Sequence, residues 1–305
     1  MALTYRLRAN LLVASLLGMG FMSGFRAVGQ EMSDVKITAQ HVAGSVHMLT
    51  GRGGNIGVSA GDDGLLMIDD QFEPLADKIR QALRDIHPGE LKFVLNTHWH
   101  GDHTGGNVSF GKEALLLAHE KVRDRLATEQ TIRGRSQGPL PPEGWPVVTF
   151  EDGLYIHFNG ERIEVVHYPS GHTDGDAVVY FPESGVVHTG DLFFSGRFPF
   201  VDLDHGGDVE GLTRNVGKIL ARIKPGTRII PGHGPLSTVD DLKAYHKMLE
   251  DTTAYIRKRV EGKLDLESAK QQGLPKKYDS WGEGFISTES WIETVYRSLD
   301  RKSKP

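Results

Sequence analysis

The most informative stretch of the chain is His98-Trp99-His100-Gly101-Asp102-His103, which directly follows an apolar run at residues 92–97. A strand that ends in this cluster presents three imidazoles and one carboxylate at one edge of a sheet. Imidazole nitrogen and carboxylate oxygen suit zinc, and the number of ligands predicts more than one ion. The alternative is a polar loop whose histidines face water, but the cluster is far denser than 14 histidines scattered over 305 residues. The stretch therefore predicts a metal site.

Three further candidate ligands lie downstream, each just past a predicted strand. His172, Asp191 and His233 each follow a glycine, which lets the backbone turn sharply so that the side chain projects from the sheet edge. One histidine beside a glycine is more often a turn residue than a ligand. Four such loops at strand ends in one chain form a joint signal for a shared site.

The seven candidates fit a site for two metal ions. Three protein ligands on a zinc leave one position for water, which distinguishes a catalytic site from a closed structural one. Zinc lowers the pKa of that water to about 7, so the pattern predicts hydrolysis. The expected sets are His98, His100 and His172 for one zinc, Asp102, His103 and His233 for the second, and Asp191 as the bridge between them.

The composition of the chain limits the classes of protein and of site that are possible. The chain has room for two average domains or one large α/β unit, and its 38% hydrophobic and 25% charged residues are ordinary for a globular protein. The net charge of −5 gives no indication of a nucleic-acid partner. Since the chain has no cysteine, disulfides, thiolate zinc ligands and a cysteine nucleophile are excluded.

Residues 1–29 have the features of a signal peptide. Arg6 and Arg8 form a basic start, residues 11–21 form a short apolar segment, and Ala27-Val28-Gly29 offers small residues for cleavage. The alternative is an uncleaved membrane anchor, although the apolar segment is short for a span. We expect cleavage near residue 29, a hydrolase domain at residues 30–305, no stable membrane insertion of the cleaved protein, and a periplasmic or secreted location.

The rest of the chain alternates short strand-like runs with amphipathic helices. Strand patterns followed by a helix occur twice, which predicts two similar sheet halves with helices outside. A helix is expected to begin at Pro74 and to end at His87-Pro88-Gly89. The stretch at residues 134–146 holds four prolines and three glycines, so it is either a linker between domains or a loop near the site. Since no helix face shows an oligomer seam, we expect a monomer.

The pattern His98-x-His100-x-Asp102-His103 with His172, Asp191 and His233 resembles the signature of the metallo-β-lactamase superfamily. The resemblance implies an α/β fold, a four-layer αββα sandwich with the metals in a cleft at one edge of the paired sheets. It also implies a bridging hydroxide as nucleophile, with Asp102 as the catalytic residue that orients it and assists proton transfer. Asp69 resembles the carboxylate that this family places behind a metal-bound histidine; the alternative is a capping residue before a helix.

The substrate is less determined than the reaction, because this superfamily hydrolyses lactams, lactones, thioesters, phosphodiesters and sulfate esters. Export and His103 in place of a thiolate favour β-lactam ring hydrolysis, whereas Asp191 in its Thr-Gly-Asp setting is typical of the wider hydrolase families. The first alternative is a lactonase or another carboxylic-ester hydrolase acting on a small molecule with a hydrolysable carbonyl. The second is a non-catalytic zinc-binding accessory protein, against which the intact ligand set argues.

The substrate pocket has a weaker signature. Residues 50–54 form a short predicted hairpin tip, so the long apolar flap of many β-lactamases is expected to be absent. Arg197 is a candidate partner for a substrate carboxylate, with a surface charge as the alternative. The phenylalanines that could line an apolar cleft, or could instead belong to the core, are Phe193, Phe194, Phe198 and Phe200.

Overall fold

The computed structural model describes residues 32–303. The expected signal peptide at residues 1–29 lies outside this range. Within residues 32–303, no helix is long and apolar enough to cross a membrane.

Two main β-sheets form the centre of the molecule. The first sheet contains seven strands, with parallel pairing from its fourth strand to its seventh. In spatial order these strands are β1 (Thr38–Ala43), β2 (Val46–Thr50), β3 (Ile56–Gly61), β4 (Gly64–Ile68), β5 (Leu91–Leu95), β6 (Leu115–His119) and β9 (Val148–Phe150).

The second sheet contains five strands, and its first strand follows the last strand of the first sheet directly in sequence. Its first four strands pair antiparallel, and the last two pair parallel. In spatial order they are β10 (Gly153–Phe158), β11 (Glu161–His167), β12 (Ala177–Phe181), β13 (Val186–His188) and β14 (Arg228–Ile230). A separate hairpin pairs β7 (Gln130–Ile132) with β8 (Arg135–Gln137).

The helices lie on the outer faces of the two sheets. The α-helices longer than one turn and a half are α1 (Ala76–Ile86), α4 (Glu120–Leu126), α5 (Val209–Arg222), α6 (Val239–Glu261), α7 (Leu266–Gln272) and α8 (Thr288–Ser303). Two four-residue helices, α2 (Gly101–Thr104) and α3 (Asn107–Phe110), follow β5.

Side-chain alternation along the strands explains the layering. In β4, Leu66 and Ile68 belong to the core between the sheets, whereas Leu65 and Met67 pack with α1 on the opposite face. Successive side chains of a strand point to opposite faces, so a strand that is apolar at every position is buried on both. The second sheet packs its other face against α5, α6 and α8. The predicted four-layer αββα sandwich is therefore confirmed.

Two local predictions changed in detail. Pro74 lies in a short 3-10 turn at Glu73–Leu75, and the α-helix proper begins at Ala76 and ends at Ile86. The irregular stretch at residues 134–146 contains β8 and follows the hairpin turn at Arg133, a residue that lines the cleft described below. Since β6 before it and β9 after it are neighbours in the same sheet, the stretch connects strands of one sheet.

Candidate metal centre

Strand ends position every predicted ligand. The cluster at residues 98–103 follows β5 and extends into α2. Asp191 lies in a 3-10 turn at Gly190–Leu192 just after β13, and His233 follows β14. Because β13 and β14 run parallel, their carboxyl ends bring these two side chains to the same edge. Asn55 fixes this arrangement from the first sheet, since its amide donates to the carbonyl of Pro231 at 2.8 Å.

The structure brings all seven predicted residues together in two adjacent groups. Within each group, the possible ligand atoms lie within 4.8 Å of one another. His172 Nε2 lies 2.8 Å from His100 Nδ1, and His103 Nε2 lies 3.4 Å from His233 Nε2. The first group consists of His98, His100, His172 and Asp191, all buried, and the second of Asp102, His103 and His233.

Asp191 lies between the two groups. Its Oδ2 is 3.5 Å from His172 Nε2 and 3.4 Å from His233 Nε2, and its Oδ1 is 3.1 Å from His103 Nε2. Burial acts to raise the pKa of this carboxyl, but the surrounding histidines, His233 first, hold it well below its usual value. Asp191 is therefore an ionised carboxylate placed to contact ions in both groups.

Contacts outside the centre orient two rings of the first group. His98 Nδ1 lies 3.1 Å from Thr97 Oγ1, which leaves its Nε2 facing the centre. His172 Nδ1 donates to the carbonyl oxygen of Phe200 at 2.8 Å, which leaves Nε2 as the inward nitrogen. Burial lowers the pKa of His172 to about 4. A neutral imidazole with an inward lone pair is the form that binds a metal.

Asp69 orients a ring of the second group. Its Oδ2 lies 2.7 Å from His103 Nδ1, while Oδ1 accepts from the Thr97 backbone N–H at 2.7 Å. The residue has a φ of 62°, a left-handed conformation that costs a non-glycine residue energy. The contact implied by the resemblance is thus present. The capping alternative is wrong, since the next turn has Phe72 as its N-cap residue.

Two buried atoms indicate that the centre suits a cation. Within residues 32–303, His98 Nε2 and Asp191 Oδ1 are buried without a hydrogen-bond partner. Leaving a buried polar atom unpaired costs about 1–3 kcal/mol, and a metal ion coordinated by both would remove that cost. Nitrogen and carboxylate donors in this number fit zinc, so the residues present fit the predicted metal.

Two glycines allow the backbone to approach the ligands closely. A methyl group on Gly232 would lie 2.0 Å from Asp191 Oδ1, and one on Gly54 would lie 2.1 Å from His103 Cε1. Both distances are far shorter than van der Waals contact. These glycines therefore make room for the ligand side chains.

Sequence reasoning missed Asp202 and His205. Asp202 Oδ2 lies 2.9 Å from His100 Nε2, and its carboxylate also contacts His205 Nδ1 at 2.8 Å. Burial acts to raise the pKa of Asp202, but the hydrogen bonds from the two histidines lower it to about 2. No local sequence signal marks Asp202, because its contact with His100 joins residues 102 positions apart.

A cleft of about 760 Å³ opens above the two groups. Phe194 and Phe200 line it, whereas Phe193 and Phe198 are core residues. Arg197 is half-buried and also lines the cleft, where its candidate role would require it. Its other lining residues are Met32, Arg52, Phe72, His100, Gly101, Asp102, Ile132, Arg133, Asp191, His233 and Phe285.

The comparisons with known proteins agree with this geometry. Residues 49–233 match the family model described as the Metallo-beta-lactamase superfamily. The chain belongs to this superfamily. The matched span contains all seven residues of the two groups. This superfamily member thus has the two His/Asp groups that could hold metal ions within the matched region.

Curated relatives of the superfamily member differ in activity. A hydroxyacylglutathione hydrolase of Synechococcus sp. (strain JA-3-3Ab) is 36% identical over 124 residues, 41% of each chain. The 2,4-dinitroanisole O-demethylase subunit alpha of Nocardioides sp. (strain JS1661) is 30% identical over 45% of this chain and 40% of its own. The metallo-beta-lactamase type 2 of Bacteroides fragilis is 24% identical over 54% of this chain and 61% of its own. The chain spans about two fifths of the length of the first two relatives.

Solved structures show the same fold. A metallo-beta-lactamase from Pontibacter korlensis superimposes with a TM-score of 0.58 at 18% identity, covering 71% of this chain and 100% of its own. The DIM-1 metallo-beta-lactamase gives a TM-score of 0.59 at 19% identity, over 71% and 99% of the two chains. At such low identity these matches establish the architecture alone.

Proposed function

We propose that this superfamily member is a hydrolase with two zinc ions that attacks the carbonyl group of a small, anionic substrate. The observation that carries the proposal is the position of Asp191 between two groups of histidines whose inward nitrogens converge. In this proposal His98, His100 and His172 hold one ion, Asp102, His103 and His233 hold the second, and Asp191 bridges them.

The chemistry divides between the metals and the chain. When bound, zinc supplies a water whose pKa is lowered to about 7 and thus a nucleophile at neutral pH. Asp102 is the residue best placed to handle the proton, because its side chain is 31% exposed towards the cleft and its Oδ2 lies 3.2 Å from His233 Nε2. Burial opposes ionisation, but His103 and His233 lower the pKa of Asp102 to about 2. As a carboxylate it can orient the attacking water and pass a proton to the leaving group.

The cleft supports an anionic substrate with an apolar part. Arg197 reaches the cleft wall, and within residues 32–303 its guanidinium has no ion-pair partner. Phe194 stacks on His233 with ring centroids 5.0 Å apart, which places an aromatic face beside the second group. Across the mouth, Arg133 lies over the Phe285 ring at 4.9 Å. A guanidinium can pair with a substrate carboxylate while the aromatic rings cover an apolar substituent.

β-Lactams that carry a carboxylate are the first substrate class that we propose. They combine a strained carbonyl, an anionic group and an apolar side chain, which matches the metals, Arg197 and the phenylalanines of the cleft. His103 fills the second group with nitrogen, so no thiolate is needed there. The similarity to the β-lactamase of Bacteroides fragilis gives this class further support.

A lactone, ester or thioester is the second candidate class. The observation in its favour is Asp191, which lies where it can bridge both groups, a feature of the wider hydrolases in this superfamily. Similarity to hydroxyacylglutathione hydrolases supports the same class.

Zinc analysis and one hydrolysis panel test the proposal. The zinc-loaded protein should contain about two zinc ions per chain and should turn over nitrocefin, with Asp102→Ala as the matched inactive variant. Turnover of lactones or of a hydroxyacylglutathione alone would select the second class. Zinc binding with no hydrolysis across the whole panel would instead support the accessory zinc protein and would overturn the proposal.

Arg197→Ala tests the substrate-binding part separately. The variant should raise KM for carboxylate substrates while kcat and zinc content stay close to the wild-type values. Arg214→Ala, an exposed change on α5, is the matched control. An unchanged KM for carboxylate substrates in Arg197→Ala would remove Arg197 from the binding site.

We further propose that residues 1–29 direct export and are then removed, which places the enzyme in a periplasm or the medium. The basic start, apolar segment and Ala27-Val28-Gly29 support this proposal. Exported protein should begin near residue 30 in N-terminal sequencing. Exported protein that still begins at Met1 would refute cleavage.

A further inference from the structure

The carboxylate of Asp202 lies between two histidine side chains. Its Oδ2 is 2.9 Å from His100 Nε2, and both of its oxygens are 2.8 Å from His205 Nδ1. All three side chains are buried, with 4% exposure for Asp202, 6% for His100 and 8% for His205. The three therefore form a continuous His–Asp–His chain from the first ligand group towards the body of the protein.

Asp202 determines which nitrogen of His100 is available to a metal. Because Nε2 of His100 donates to the carboxylate, its Nδ1 carries the lone pair. That Nδ1 lies 2.8 Å from His172 Nε2, on the side where the first group converges. A carboxylate behind a metal-binding imidazole fixes both the ring orientation and the tautomer and increases the basicity of the ligand.

His205 in turn holds Asp202. Without a second donor the carboxylate could rotate about its side-chain torsions and lose the geometry that it offers to His100. The His205 ring is itself fixed, since it packs edge-on against Trp99 with ring centroids 4.8 Å apart. Its carbonyl oxygen accepts from the Asp174 backbone N–H at 3.1 Å. His205 thus presents a donor from a rigid position.

The backbone of the same loop contacts a second ligand. The Asp202 N–H donates to the carbonyl oxygen of His172 at 2.9 Å, and the Gly207 N–H donates to the carbonyl oxygen of Asp202 at 2.8 Å. Through its side chain and its backbone, Asp202 therefore positions two of the three histidines in the first group. A displacement of Asp202 would alter this group while leaving the second group in place.

We propose that Asp202 and His205 are positioning residues for the first metal, and that the hydrogen bond from His205 to Asp202 sets the affinity of that metal. This inference rests on the proposed zinc site. It adds His205, which lies three residues after Asp202 in the same loop and would contact neither metal nor substrate.

Two variants of His205 separate hydrogen bonding from packing. His205→Asn retains a side-chain N–H donor near the position of Nδ1 but removes the ring from Trp99. His205→Phe keeps a ring against Trp99 but cannot donate. If the hydrogen bond controls the site, His205→Phe weakens zinc binding and His205→Asn preserves it. If packing alone matters, the two results are reversed.

The measurement is zinc affinity, by competition with a chromophoric chelator, on the full-length variants. We expect one of the two zinc ions to bind about 10- to 100-fold more weakly in Asp202→Asn and about tenfold more weakly in His205→Phe, as is typical when the partner of a metal-bound histidine is changed. The second zinc should keep its affinity. His246→Ala, which removes a histidine bonded to the Thr213 carbonyl at the helix surface, is the matched control.

A cobalt-substituted form supplies a second readout. Its visible absorption reports ligand geometry, and His205→Phe should change the spectrum of one ion while far-UV circular dichroism stays the same. Unchanged zinc affinity and spectrum in His205→Phe would overturn the inference, as would weakened binding in His205→Asn alone. Failure of the wild-type protein to bind zinc would overturn the proposed function itself, so the two failures are distinguishable.

Discussion

The Asp69 carboxylate lies 2.7 Å from Nδ1 of His103, although 34 residues separate the two in sequence. Both side chains are completely buried. His103 carries a raised pKa because Asp191, Asp102 and Asp69 outweigh the effect of burial. A carboxylate behind the ring therefore orients it and makes its inward nitrogen a stronger ligand.

Asp69→Asn should lower the affinity for the second zinc ion by about 10- to 100-fold. The amide can replace one acceptor oxygen, but its NH₂ group would face two donors, His103 Nδ1 and Thr97 Oγ1. Chelator competition measures the loss, and thermal unfolding of the zinc-free protein measures the cost to the fold. Asp204→Asn is the control, since it removes only an exposed ion pair with Arg301 and should change neither value. Equal zinc affinity in Asp69→Asn and wild type would contradict the role of Asp69.

Asp102→Ala should reduce kcat by about 10²- to 10⁴-fold, the usual range for loss of a proton-transfer group. Steady-state kinetics with the best substrate of the hydrolysis panel measures the effect. Asp102 is also a candidate ligand, so zinc content has to be measured on the same sample. A variant that retains both zinc ions but loses turnover assigns the loss to proton transfer, and near-normal turnover would exclude this role.

Gly232→Ala should displace the Asp191 carboxylate, because the added methyl group would lie 2.0 Å from Oδ1. Since Asp191 faces both groups, we expect both zinc ions to bind more weakly and hydrolysis to fall at least tenfold. Gly138→Ala is the matched control, because a methyl group there meets nothing within 4 Å. Full zinc content and activity in Gly232→Ala would show that Asp191 is not held where the structure places it.

The sequence predicted the seven candidate residues that the structure brings together, because each lies in a short, glycine-flanked segment after a strand. His98, His100, Asp102 and His103 are close in sequence, and the resemblance to a known family supplied their partners. The four-layer architecture also came from that resemblance, although the strand patterns followed by a helix already predicted two sheet halves with helices outside. Local sequence signals were sufficient to predict a site residue wherever a metal-ligating side chain lies beside a turn-forming glycine.

The sequence did not predict Asp202, His205 or the position of the hairpin. The contact between His100 and Asp202 joins residues 102 positions apart, and no local pattern distinguishes this aspartate from a surface one. Arg133 takes a φ of 50° at the hairpin turn and reaches Phe285 near the other end of the chain. Such long-range contacts depend on how the sheets and helices pack, which periodicity does not encode.

Zinc removal should lower the melting temperature. A ligand that binds only the folded state stabilises it by RT ln(1 + [L]/Kd), about 4 kcal/mol at a thousand-fold excess over Kd. Removal also leaves His98 Nε2 and Asp191 Oδ1 buried without partners. Differential scanning calorimetry with and without a chelator measures the shift, and added zinc should restore the original value. Identical melting curves would argue against a bound metal in the folded protein.

The His119–His167 pair should make the fold less stable in mild acid. The two rings stack with centroids 3.8 Å apart and join the end of β6 to the end of β11, and therefore join the two sheets. Burial, and then the neighbouring ring, lower the pKa of His119 to about 4, and burial lowers the pKa of His167 as well. In the unfolded chain both have a pKa of about 6.5.

The sign follows from proton linkage. Above pH 6.5 both imidazoles are neutral in the folded and in the unfolded chain, and the pair contributes fully to the stability of the fold. As the pH falls from about 6.5 towards 4, His119 takes up a proton in the unfolded chain but stays neutral in the folded one. The free energy of unfolding therefore decreases. Urea unfolding at pH 7.5 and pH 5 of the chelated protein measures this loss. His119→Asn can still accept from the Lys121 N–H, as His119 Nδ1 does at 3.1 Å, but does not titrate. It should lose less stability between the two pH values than the wild type, and an equal loss would assign the acid sensitivity to other groups.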